Sequence, residues 1–156
     1  MIDATTTDNS SSITLFTIGF TGKSAMDFFE KLKQAGVRCV VDIRLNNVSQ
    51  LAGFAKKRDL EYFLRTIADI DYVHERELAP SKEILDDYKK KRIDWNEYER
   101  RYRNILDERQ PAKRLKPGDF DCACLLCSEP AAEHCHRRLA AEYLRDEWGN
   151  VTIHHL

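Results

Sequence analysis

The 156-residue chain contains no apolar run approaching the roughly 20 residues needed to span a bilayer. Its first twelve residues have neither the basic start nor the apolar centre of a secretory signal. These absences exclude a helical membrane anchor in the reading and turn expectation toward a cytoplasmic protein. Charge of one sign is also missing: 25 Lys plus Arg stand against 26 Asp plus Glu, for a net charge of -1. No overall basic field draws the chain to nucleic acid or to an anionic membrane, so any anion site has to be local. The cysteines number five, an odd count in an ordinary core-forming sequence. That argues for reduced thiols rather than a disulfide framework, and all five are expected to be free. Internal repeats are absent as well.

What is present suits one packed domain. Hydrophobic residues make up 42% and charged residues 33%, enough for a full core beneath a charged surface. Residues 1–12 read as a disordered tail and 13–156 as a single α/β domain. Strand-length apolar runs alternate with segments of helical period, the pattern of a mainly parallel sheet of about five strands flanked by helices. The expected strands are Ile13–Gly19, Val37–Ile43, Asp71–His74, Cys122–Cys127 and Val151–His154. Helical patterns fall after Ser24, over Leu60–Ile67, and over roughly His134–Glu147. The charged stretch between the third and fourth strands reads as an inserted helical pair, one helix around Lys82–Lys91 and another starting at Asp94 and Glu97.

Parallel connectivity opens the C-terminal end of every strand on the same edge of the sheet. Gly19 and Thr21, Asp42 and Arg44, His74, Cys127 and Glu129 should therefore converge there. The last helix begins near Cys135, His136, Arg137 and Arg138. Its N-terminus carries partial positive charge and unpaired N–H groups, which together with arginine favour a phosphate or carboxylate. Adjacent helical residues lie about 100° apart, so Arg137 and Arg138 cannot face the same way. Arg137 is expected to point into the crevice and Arg138 into solvent.

Spacing rules out two motifs and weakens a third, a zinc site. Gly19 to Ser24 (GFTGKS) has two residues between its glycines where a P-loop has four, so it reads as a strand-to-helix turn capped by Ser24. A cysteine-phosphatase loop would need arginine where Glu133 stands after Cys127. Cys127 and Cys135 are separated by seven residues and belong to no C-x-x-C or H-x-x-x-H knuckle. Cys39, Cys122 and Cys124 sit in strand-like runs, as buried apolar residues do.

Thr17-Ile18-Gly19, Asp42-Ile43-Arg44, Tyr72-Val73-His74, and Cys127-Ser128-Glu129 followed by Cys135-His136-Arg137 resemble the signature segments of the domain of unknown function 488 family. The likeness runs from about Leu15 to Leu156. It implies a compact α/β fold and carries over no reaction, substrate or cofactor. Many members have His-Ser after the first Thr-Ile-Gly; here Phe20-Thr21 leaves only the Thr21 hydroxyl.

On this reading the chain binds, and as an enzyme would act on, a small anionic ligand such as a nucleotide or phosphorylated metabolite. Gly19, Thr21, Asp42, Arg44, His74, Cys127 and Arg137 are the ligand-binding candidates, with Glu129, Cys135 and His136 as acid, base or nucleophile. Two alternatives stand beside it. One is a non-catalytic ligand-binding or nucleic-acid-associated module that uses the same pocket. The other is a metal-stabilised interaction protein built on Cys127 and Cys135 with His134 or His136.

Overall fold

In the computed structural model, which describes residues 12–47, 53–128 and 133–156, five strands form one parallel sheet. They are β1 (Ile13–Gly19), β2 (Cys39–Asp42), β3 (Asp71–His74), β4 (Ala123–Cys127) and β5 (Val151–His155), in the order β3-β2-β4-β1-β5. The helices are α1 (Ala25–Ala35), α2 (Lys57–Ala68), α3 (Lys82–Lys89), α4 (Trp95–Arg109), a short α5 (Pro111–Arg114) and α6 (His136–Trp148). The proposed disordered tail falls on residues 1–12, of which 1–11 lie outside the described residues.

Side chains alternate across a strand, and here the alternation sorts the apolar residues into two cores. Leu15, Val41, Ile43 and Leu125 pack with α3, α4 and α6 on one face. Phe16, Ile18, Val40, Cys124 and Leu126 pack with α1 and α2 on the other. A near-continuous hydrophobic run such as Cys39-Val40-Val41 follows from covering both faces.

Local chemistry sets the element ends. Ser24 Oγ accepts the Asp27 N–H at 3.1 Å and starts α1. Gly36, at φ 77°, ends it in the left-handed region that glycine enters without steric cost. The helix cap then uses Val37, whose N–H donates to Leu32 O, so β2 begins two residues later than the apolar run suggests. Cys122, at φ 59°, likewise delays β4 by one residue. Ser81 and Asp94 cap α3 and α4 through the N–H groups of Ile84 and Glu97. These two helices occupy the stretch between β3 and β4 where the helical pair is expected.

Candidate functional site

The strand ends do meet. Gly19 lies in register with Cys127, and Asp42 with both His74 and Leu126. At the end of β2, Asp42 is wholly buried and Arg44 is 3% exposed. Arg44 donates from Nε to Asp42 Oδ1 at 2.8 Å and from Nη2 to Oδ2 at 2.7 Å, a two-pronged pair that fixes the guanidinium plane. Tyr72 donates its hydroxyl to Asp42 Oδ2 at 2.5 Å, and Asn47 Nδ2 donates to the Tyr72 oxygen at 3.0 Å. Burial and the adjacent carboxylate push the Tyr72 phenol well above its ordinary pKa, so it remains a donor. The Arg44 guanidinium sits 5.3 Å over the Phe20 ring. Its remaining nitrogen, Nη1, is buried with no hydrogen-bond partner among the described residues.

Arg44 lines a cavity of about 390 Å³. One wall is made by the strand edge and the start of α6, with Ser128, Cys135 and His136. The opposite wall comes from α3 and α4, with Tyr88, Lys89, Trp95 and Tyr98. Trp95 is stacked on Tyr98 at 4.9 Å between ring centres and on His134 at 5.1 Å. Pro80, Leu85, Leu45 and Asn46 complete the lining.

Cys135 is the N-cap of α6, and its sulfur accepts the Arg137 N–H at 3.5 Å. Cys135 and Cys127 are paired sulfur to sulfur, with Cα atoms 7.7 Å apart. A disulfide closes without backbone movement when that span is about 4.4–6.8 Å, and at 7.7 Å the two stand as juxtaposed thiols. The expectation that all five cysteines are free is corrected: Cys39, Cys122 and Cys124 are free, whereas Cys127 and Cys135 are paired sulfur to sulfur. Buried Cys124 and half-buried Cys39 have thiols raised by desolvation, Cys39 to about 11.

His136 sends Nε2 to the carbonyl of Ile43 at 2.9 Å. A carbonyl only accepts, so Nε2 carries the hydrogen and Nδ1, 4.0 Å from Cys135 Sγ, holds the lone pair. Burial foremost, then the neighbouring Arg137 charge, lowers its pKa to about 4. Arg137 is 1% exposed and donates Nη1 to Cys127 Sγ at 3.3 Å, whereas Arg138 lies at the surface, paired with Glu142 at 2.9 Å. Lys23 and His155 register the same positive field: both are lowered by burial first and by Arg137 next.

The candidates thus divide. Arg44, Cys135 and His136 line the cavity. Asp42, Cys127 and Arg137 stand behind its wall, so the expectation that Arg137 points into the crevice is corrected: its guanidinium is buried against the Cys127 sulfur instead. Gly19 and Thr21 are at the same edge outside the lining, and His74 braces the loop by donating Nε2 to Arg44 O at 2.7 Å. Glu129 lies outside the described residues. Tyr72, Asn47 and the aromatic wall are site residues that the sequence reading does not single out; the cluster Tyr88, Trp95, Tyr98 is the signal that could have found the wall. Among the described residues no three His, Cys, Asp or Glu side chains gather around a common point suited to a metal ion. None of the described helices is long and apolar enough to cross a membrane.

Comparison with known proteins found no match among curated proteins or solved structures. A family model, described as Domain of unknown function DUF488, matches residues 24–144, which include both walls of the cavity and the start of α6. The chain belongs to the DUF488 family.

Proposed function

We propose that the protein binds a small anionic ligand with a planar ring, a nucleotide in chemical class, in the cavity at the C-terminal edge of its sheet. One observation carries the reading. Arg44 is buried, held flat by Asp42, and has a guanidinium nitrogen unpartnered among the described residues at the edge of a cavity with an aromatic wall. A buried donor without an acceptor costs about 1–3 kcal/mol, which an anionic oxygen would recover. The start of α6 adds partial positive charge on the same side. Tyr88 and the Trp95–His134 stack supply flat surface for a ring. With so few groups committed to one geometry, a phosphorylated metabolite lacking a base would bind through the arginine side alone. The balanced net charge leaves recognition to this local site, and the juxtaposed thiols suit the reducing cytoplasm.

Calorimetric titration with a nucleoside monophosphate, the matching nucleoside and inorganic phosphate tests this. Binding is expected to be tightest for the monophosphate and weakened by added phosphate. Heat from none of the three, together with no co-purified ligand in native mass spectrometry, would refute it. Unchanged ligand after prolonged incubation would instead favour the non-catalytic binding module.

A further inference from the structure

The cavity that holds Arg44 also holds a sulfur. We propose that Cys135 is a nucleophilic thiol, reacting at an electrophilic carbon of an anionic substrate that carries a leaving group. The proposal rests on the anion-site reading for the choice of substrate, and on its own geometry for the thiol.

Three groups around Cys135 favour its anionic form. As N-cap of a thirteen-residue helix, it accepts the Arg137 N–H and lies at the positive end of the helix. The Arg137 guanidinium donates to the sulfur of Cys127, which touches Cys135. The third is His136, whose Nε2–H is committed to Ile43 O, leaving the Nδ1 lone pair facing the thiol. In the reaction the Cys135 proton passes to Nδ1 of His136 and on to solvent, since burial disfavours a lasting imidazolium there. The sulfur electron pair forms an S–C bond. The bond from that carbon to the leaving group breaks, and the leaving group departs with the bonding electrons. Arg44, on the same cavity with Nη1 unpartnered among the described residues, is the counter-charge for the anionic substrate.

The other thiols offer an internal comparison. Cys39 and Cys122 are more exposed than Cys135, which is 2% exposed. Reactivity governed by access alone would therefore leave Cys135 until last.

The experiment is timed alkylation of the full-length, phosphine-reduced protein with iodoacetamide and, in parallel, iodoacetate, each modified cysteine located by peptide mass mapping. Cys135 is expected to react with iodoacetamide about tenfold faster than Cys39 or Cys122, the gain of roughly one pKa unit in thiolate. His136→Gln, whose amide can still donate to Ile43 O, should slow Cys135 and leave Cys39 unchanged, with circular dichroism used to verify the fold. Labelling in order of exposure, or of Cys127 before Cys135, overturns the proposal. A fast Cys135 that also prefers iodoacetate over iodoacetamide supports both the thiol and the anion site. A fast Cys135 with no preference for the anionic reagent supports the thiol and counts against the anion site, so the two readings fail separately.

Discussion

His136 donates Nε2–H to the carbonyl of Ile43, 93 residues earlier in the chain, at 2.9 Å. This bond ties the first turn of α6 to the end of β2 and so holds the two halves of the cavity wall, Cys135 and Arg44, in one frame. It also holds a half-buried imidazole whose pKa is lowered to about 4.

Stability should therefore depend on pH in a defined window. In the unfolded chain His136 titrates near 6.5, and in the folded chain near 4. Between these values the unfolded state binds the extra proton, so stability falls as pH drops from about 6.5 to about 4, by on the order of 3 kcal/mol. Urea denaturation at intervals across this range checks it. His136→Gln should flatten that slope; an unchanged slope would show that another group is responsible.

Asp42→Asn should be strongly destabilising. It leaves the buried Arg44 cation without its partner, at a cost of about 3–5 kcal/mol. Tyr72→Phe removes its hydrogen bond to the carboxylate and the one it accepts from Asn47 but leaves the ion pair intact, and should cost about 1.5–3 kcal/mol. Denaturant midpoints at constant m-value measure both, and the predicted order is Asp42→Asn above Tyr72→Phe.

Arg44→Lys keeps a positive charge but loses the planar fork, so nucleoside monophosphate binding should weaken by about 1–3 kcal/mol. Arg138→Lys, on the outer face of the same helix as Cys135 and His136, should leave it unchanged. Calorimetry on the two variants gives the comparison. Equal losses would place the anion elsewhere.

The glycine-containing turn after β1 should matter to folding and not to ligand. Ser24→Ala removes the cap accepted from Asp27 N–H and should cost about 1 kcal/mol. Nucleotide affinity should be unaffected. A large loss of affinity with little loss of stability would revive a phosphate-binding role for Gly19–Ser24.

The element types and their order follow from the residues alone, because hydrophobic period is a local property. Ile13–Gly19 and Asp71–His74 coincide with their strands, and the separation of parallel strands by helices is enough to bring Gly19, Asp42, His74 and Cys127 to one edge. That Arg137 is buried and Arg138 is not follows for the same reason: a helix turns neighbouring side chains about 100° apart, and Leu139, Ala140, Tyr143 and Leu144 mark which side is inward. That the Arg137 guanidinium meets Cys127 behind the cavity wall, and does not enter the crevice, depends on where α6 starts beside β4. Strand ends were less legible where a cap or a left-handed residue intervened, as at Gly36 and Cys122. Only the tertiary structure decided what covers the edge. Tyr88, Trp95 and Tyr98 look like core and surface of a charged helical pair until α3 and α4 fold back over the strand ends and make them a cavity wall. Tyr72 meets Asp42 across 30 residues, and Cys135 meets Cys127 because α6 starts beside β4. Such meetings depend on how layers pack and on strand order, and no local period encodes either.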